Sequence, residues 1–350
     1  MTIAAPSPVK CVVWDLDETL WRGVLGEGDD VTVSREVREA VLALDERGIL
    51  QSIASRSDRE AAEARLAAMG LLDYFISPKI GWGEKAAALE ALSRELDLPL
   101  DTFLFVDDDS FERDAVAFAH PEVRGVDAGA IGTLLDRADL KPLRVTEDSR
   151  GRRAMYQRRA LARREEEAFE GPRVDYLRTL GMVVTVASAT AADLDRAAEL
   201  TQRTHQLNTT GRTYSPEELA VLARSPEHRL LICTLVDRHG EHGRIGLVLV
   251  EAGREVWTVK LLLMSCRVLS RNLGSTLIAY LVRAASGAGV RLEAEMVPTD
   301  RNRRMMITYR FAGFRRVREE GGCVVLEHAL REIPPYANYL DVRTRHSEQG

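Results

Sequence analysis

Short apolar runs alternate with helix-period segments over the first third of the chain. VKCVVW (9–14) predicts a buried strand, 35–47 a helix, GILQSIAS (48–55) a second strand, and Ser57 to Met69 another helix. Ser57 with Glu60 predicts a capping box at the start of that helix. A further helix spans 84–97, with Leu89, Leu92 and Leu96 on one face, and FLFV (103–106) reads as a third buried strand. Strands that alternate with helices in this way predict a parallel, doubly wound α/β sheet.

The pattern then changes. Residues 128–175 read as charged helix running into REEEAFEGPR, which Gly171-Pro172 should stop. From 180 the order is strand, helix, helix, strands, helix, strand. Ser215-Pro216-Glu217-Glu218 predicts a helix start, with Ser as N-cap, Pro at the first turn and Glu closing the box. IGLVLV (245–250) and VWTVKLLLM (256–264) predict adjacent strands, and Leu273, Leu277, Tyr280, Leu281 and Ala284 share one helix face. VRLEAEM (290–296) alternates as a half-buried strand, and the last dozen residues read as disordered. These breaks divide the chain into a first α/β domain (1–140), a helical connector (141–178), a second α/β domain (179–335) and a tail (336–350).

Composition narrows the class. With 350 residues, 45% hydrophobic and 29% charged, the chain suits two soluble domains. No apolar run approaches the roughly 20 residues of a membrane span, and the N-terminus lacks the apolar core of a secretory signal, so a cytoplasmic protein without a membrane partner is expected. A net charge of −6 disfavours nucleic acid as the main partner. Two stretches are nevertheless strongly basic, 150–164 and 301–318. They suit an acidic partner or phosphates, or equally a solvated face with ordinary salt bridges. The four cysteines, Cys11, Cys233, Cys266 and Cys323, form no C-x-x-C pair, which argues against zinc or a disulfide framework.

Chemistry concentrates at the strand ends. Asp15-Leu16-Asp17-Glu18-Thr19 follows the first strand, at the edge where open α/β sheets bind ligands. There Asp15 can attack phosphorus to give an aspartyl-phosphate, and Asp17 can protonate the leaving oxygen and then deprotonate water. Ser55 ends the second strand and can hold a phosphate oxygen. Lys85 opens a helix and can neutralise the transferring group. Asp107 and Asp108 end the FLFV strand and can join Asp15 around Mg²⁺, a hard ion that prefers carboxylates. A D-x-D-x-T by itself also fits an Asx-capped turn; four such elements in order do not.

This order resembles the haloacid dehalogenase-type phosphatases. About 30 residues separate Thr19 from the second strand, and no folded insertion fits between Ser57 and Asp107, so the site has no large cap of its own. The flanks DLDETLWRGVLGEG (15–28), PKIGWGEK (78–85), FVDDDSFER (105–113), LTQRTHQLNTTGRTYSPEE (200–218) and MSCRVLSRNL (264–273) further resemble the FkbH-like glyceryl transferases of polyketide pathways. That resemblance spans about residues 10 to 330. It implies an Mg²⁺-dependent bifunctional enzyme that dephosphorylates 1,3-bisphosphoglycerate and loads the glyceryl unit onto the phosphopantetheine thiol of an acyl carrier protein. It also implies a metal set of Asp15, Asp17, Asp107 and Asp108, and phosphate contacts from Thr19, Ser55, Arg56 and Lys85. Departures occur at Ser55-Arg56-Ser57, where Ser-Lys-Asn is frequent, and at Glu18, Glu84, Ser270 and Gly274.

The second domain resembles the acyl-coenzyme A N-acetyltransferase fold. Arg271-x-x-Gly274-x-Thr276 and Asn302 are then expected to contact pantetheine. Cys266, followed by Arg267, is the candidate acylated thiol, with a depressed pKa and a phosphate contact supplied by Arg267. His205 is the candidate base, with Asn208 and Thr209 as polar contacts. Cys266 can equally be a small core residue, and His205 a buried, hydrogen-bonded one. Cys11, Cys233 and Cys323 lie in strand-like runs and are expected in the core. The competing reading is a stand-alone phosphatase whose second domain only docks a carrier.

Overall fold

The computed structural model describes residues 8–27, 30–142, 145–204, 207–265, 268 and 271–345. The chain forms two compact units, Met1–Ala160 and Leu161–Gly350.

In the first unit the elements are β1 (Cys11–Trp14), α1 (Arg35–Glu46), β2 (Leu50–Ser55), α2 (Arg59–Ala68), β3 (Lys79–Ile80), α3 (Lys85–Leu96), β4 (Phe103–Asp107), α4 (Ser110–Ala119), β5 (Arg124–Asp127), α5 (Ile131–Leu134) and α6 (Glu147–Arg150). The five strands are all parallel, in the order β3-β2-β1-β4-β5. β1 is the pivot, pairing Cys11 with Leu50 of β2 on one side and with Phe103 of β4 on the other. Every residue of β1, β2 and β4 is buried, as strands covered on both faces must be. Because the order turns back at β1, the carboxyl ends of β1 and β4 open onto the crevice where such sheets hold ligands.

Two expectations change here. The cap of α2 is Asp58, which accepts from the Ala61 amide, so the expected Ser57–Glu60 box does not form and Ser57 is free for another task. The charged segment after β5 also contains more than one helix. α7 (Arg152–Ala168) follows α6, and α8 (Arg173–Thr179) begins after the Gly171-Pro172 break.

The second unit adds β6 (Met182–Ser188), α9 (Leu194–Arg203), α10 (Pro216–Arg224), β7 (His228–Asp237), β8 (Gly240–Ala252), β9 (Val256–Met264), α11 (Leu273–Ala288), β10 (Arg291–Met296), α12 (Arg303–Phe311), β11 (Phe314–Glu320), β12 (Cys323–His328) and β13 (Leu340–Arg345). α10 starts as predicted, with the Ser215–Glu218 capping box and Pro216 in its first turn. The sheet is mixed, in the order β11-β12-β10-β9-β8-β7-β6-β13, with parallel pairs at β9–β10 and β6–β13. The expectation of a disordered end is corrected for Leu340–Arg345, which pairs in register with Met182–Ala187 and covers an otherwise open edge, while residues 346–350 lie outside the described residues. β9 and β10 pair only from Val256 to Val259. Beyond that point, the segment beginning at Leu207 takes over. Met264 N donates to Leu207 O (3.1 Å), Thr209 N to Leu262 O (3.1 Å), and Val297 N to Thr209 O (2.9 Å).

Gly48 joins α1 to β2 at φ +66°, and a Cβ there would lie 2.4 Å from the Ser149 carbonyl oxygen. Gly48→Ala is expected to destabilise the first unit by more than about 1 kcal/mol, seen as a lower midpoint in its thermal or urea unfolding transition.

Candidate active site

Asp15 follows β1 directly and its amide donates to Val106 O of β4 (2.9 Å), which fixes the side chain between the two strands. Lys85, the first residue of α3, reaches into the same crevice. Its Nζ lies 2.9 Å from Asp15 Oδ1 and 2.7 Å from Asp107 Oδ2, and all three side chains are buried. Burial dominates the electrostatics. It pushes the Asp15 carboxyl up from 3.8 to about 6; Lys85 opposes the shift, Asp107 adds to it, and a Ser55 hydrogen bond again opposes it. Asp107 is raised for the same reason, against the pull of Lys85. For Lys85 burial works to lower the pKa, and the two carboxylates outweigh it, holding the ammonium above its ordinary value.

Asp108 completes a carboxylate trio. One oxygen from each of Asp15, Asp107 and Asp108 lies within 4.8 Å of the others. Two buried carboxylates that resist ionisation, with a third at the rim, fit a hard divalent cation such as Mg²⁺. Bound there, the ion would neutralise the carboxylates and polarise a phosphoryl oxygen. The Asp107 geometry is set locally: Oδ1 accepts the Asp109 amide (2.9 Å), and Arg113 donates to the Asp107 carbonyl (2.7 Å).

Asp17 was expected both as acid/base and as metal ligand. The carboxylate trio does not include it, and its oxygens are engaged elsewhere. Oδ1 accepts from Trp21 Nε1 (2.7 Å) and from the Leu25 amide (2.9 Å), and Oδ2 accepts from Ser57 Oγ (3.1 Å). The turn Leu16–Leu20 places it there: Trp21 N returns to Leu16 O (3.1 Å), and Glu18 adopts the left-handed region at φ 51°. Glu18 is held in that conformation by accepting from the Gly23 amide (2.9 Å). Trp21 and Ser57 are thus the site residues that sequence reasoning missed. In the sequence Trp21 carries no chemical signal of its own, and the spacing of Ser57 to Glu60 points to a cap.

The expected phosphate contacts divide. Ser55 bonds to Asp15 within the crevice. Thr19 instead ties the two catalytic loops together, accepting from the Asp108 amide (3.0 Å) and donating to Asp108 Oδ1 (3.1 Å). Arg56 pairs with Glu112 (3.0 Å) and donates to the Gly83 carbonyl (3.4 Å), leaving its head half exposed.

In the second unit Cys266, Arg267 and His205 lie outside the described residues. The other expected contacts are occupied by the protein itself. Asn208 Oδ1 accepts from the Thr210 and Gly211 amides, and Thr209 Oγ1 accepts from Leu262 N (3.0 Å). Buried Asn302 donates to the carbonyls of Val297 (2.9 Å) and Asn208 (3.1 Å) and accepts from Thr299 N (2.9 Å). Its side-chain amide thereby satisfies backbone groups of the second unit. Arg271, expected in the same role, is buried against Asp237, which also lies 2.9 Å from His242 Nε2. Gly274 allows close packing, since a Cβ would sit 3.0 Å from Met264 Cε and 3.5 Å from Thr308 Cγ2. Cys11 and Cys233 are buried, with thiol pKa values pushed up by burial (to about 12 at Cys233); Cys323 is half-buried.

No family model and no curated protein matches the sequence. Among solved structures, the N-terminal part of protein BF1531 from Bacteroides fragilis, containing a phosphatase domain complexed with Mg, is 26% identical over 36% of this chain and 38% of that one, with a TM-score of 0.33. The ribosomal-protein-S18-alanine N-acetyltransferase of Escherichia coli is 15% identical over 41% of this chain and 92% of that one (TM-score 0.33). The GNAT domain of S. lividans PAT is 20% identical over 41% and 88% (TM-score 0.33). The chain thus spans well under half of the phosphatase-domain protein. Among the described residues, no helix is long and apolar enough to cross a membrane.

The Asp15 shift has a signed consequence. A carboxyl raised from 3.8 to about 6 favours the fold while protonated and loses that contribution as pH climbs through 6. Metal-free protein is therefore expected to lose stability between about pH 4 and 6 from this group. Mg²⁺ binds the ionised form, so its increment in melting temperature should be larger at pH 7.5 than at pH 5. Differential scanning fluorimetry at both pH values, with and without Mg²⁺, measures this.

Proposed function

We propose that the chain is a bifunctional enzyme, with Mg²⁺-dependent phosphate removal in its first unit and acyl transfer in its second. The observation that carries the first half is buried Lys85 bridging Asp15 and Asp107 beside Asp108 at the carboxyl ends of adjacent strands. Asp15 lies where it can attack phosphorus, and Lys85 and the cation offset the charge of the transferring group. Asp17, oriented by Trp21, Leu25 and Ser57, is positioned as the proton donor to the leaving oxygen and then as the base for water.

The substrate in this reading is 1,3-bisphosphoglycerate, and the product is a glyceryl thioester on the phosphopantetheine of an acyl carrier protein, destined for polyketide assembly. The acyl phosphate is the activated group that a thiol attacks, and the remaining phosphate ester is the one hydrolysed at Asp15. Cys266 is the proposed acylated thiol, with Arg267 lowering its pKa and His205 as base. The exposed arginines of α12 and β11 suit the acidic helices of a carrier. One observation favours the second reading, a stand-alone phosphatase with a docking unit: Asn208, Thr209, Asn302, Gly274 and Arg271 are engaged within the second unit.

Incubation with holo-carrier protein, Mg²⁺ and enzymatically generated 1,3-bisphosphoglycerate tests the proposal. A carrier mass gain matching glyceryl is expected. A gain matching phosphoglyceryl, or none, defeats it. Asp15→Asn should stop phosphate-ester release by at least about a hundredfold while acylation persists. Cys266→Ala should abolish the acyl-enzyme on an intact-mass spectrum; a retained adduct excludes this thiol and favours the second reading.

A further inference from the structure

The three carboxylates of the candidate cation site come from the ends of two strands: Asp15 follows β1, and Asp107 and Asp108 share the turn that leaves β4. The polar groups of that turn are held from several sides. Thr19 Oγ1 accepts the Asp108 amide (3.0 Å), Asp107 Oδ1 accepts the Asp109 amide (2.9 Å), and Asp107 Oδ2 accepts from Lys85 (2.7 Å). The donor to the Asp107 carbonyl comes from α4. Arg113 Nη1 donates to it (2.7 Å), while Arg113 Nη2 lies 2.7 Å from Asp127 Oδ2 at the end of β5. Asp107 and Asp127 are register partners in the parallel sheet, so one guanidinium spans the carboxyl ends of β4 and β5. Asp127 is itself fixed, since its Oδ1 accepts the Gly129 amide (2.8 Å).

The Asp127 side chain is 56% exposed, and an ion pair so open to water adds little stability. Its effect is on direction. A planar guanidinium bonded to a carboxylate on one arm has its other arm aimed, and here that arm meets the backbone of a fully buried carboxylate residue. Groups that orient a metal's carboxylate ligands govern its affinity almost as strongly as the ligands do. The same sheet offers a comparison. Arg124, at the start of β5, donates to the Asp101 carbonyl (2.8 Å) and to Asp139 Oδ2 (2.9 Å). It braces the amino ends of the same two strands, away from the carboxylate trio.

We propose that Arg113, braced by Asp127, is the positioning residue of the cation site. It holds the end of β4 so that Asp107 and Asp108 present their oxygens to a divalent cation together with Asp15. Arg113 acts through the Asp107 backbone, and Asp127 acts through Arg113. This rests on the reading of the carboxylate trio as an Mg²⁺ site.

The test titrates metal-free, full-length protein at neutral pH with Mn²⁺, followed by the EPR signal of the free ion, and then displaces it with Mg²⁺. Arg113→Lys keeps the charge without the fork, and Asp127→Asn keeps the shape without the charge. Each is expected to raise Kd for both ions by about tenfold or more. Arg124→Lys is expected to lower the melting temperature and leave Kd unchanged, which separates positioning from general loosening of the sheet. Asp127 is exposed, so Asp127→Asn decides the matter even if Arg113→Lys folds poorly. An unchanged Kd in Asp127→Asn, or an equal rise in Arg124→Lys, overturns the proposal while the cation site stands. A wild type that binds neither ion defeats the cation reading itself, and the positioning role falls with it.

Discussion

The first unit depends on one buried ammonium between two buried carboxylates. Without Lys85, Asp15 and Asp107 would face each other at the ends of paired strands, each losing hydration and each raising the other's cost of ionisation. With it, one net negative charge remains among the buried side chains, beside a third carboxylate at the rim. That residual charge is what a divalent cation and a phosphoryl group together would meet. The strand order, the left-handed turn at Glu18 and the placement of Lys85 at the first position of α3 all serve to hold this arrangement.

Much of this unit was legible in the sequence because apolar runs end in charged residues. β1, β2 and β4 are covered on both faces, so the last apolar residue of each run marks where Asp15, Ser55 and Asp107 emerge. The orientation of Asp17 was not legible. Its partners come from a turn whose non-helical residues leave no period in the sequence and from Ser57, whose spacing to Glu60 imitates a cap that Asp58 in fact supplies. Thr19 was likewise assigned to phosphate, where it ties Asp108 back to the first loop; a hydroxyl one turn beyond a catalytic acid fits either role on spacing alone.

The second unit shows a different limit. Asn208 and Thr209, expected as polar contacts beside His205, and Asn302, expected at pantetheine, all bond to the backbone around the sheet. β9 and β10 part after Val259, and the backbone groups so released must be paired. Thr209 links Leu262 to Val297, and Asn302 covers the carbonyls left over. Sequence alone does not distinguish a polar residue that repairs a backbone from one that binds a ligand, since burial and hydrogen bonding select the same residue types for both.

The pairing of β13 with β6 joins the last strand of the second unit to its first. Every other strand of that sheet can pair as the chain is made, but β6 keeps one open edge until residues 340–345 are available. Long-range closure of this kind raises contact order and slows folding. During synthesis the exposed edge of β6 would be the point at which the nascent unit is most vulnerable to mispairing with another chain. The two units therefore differ in when they can be finished: the first has its whole sheet by Asp127, long before the second can close.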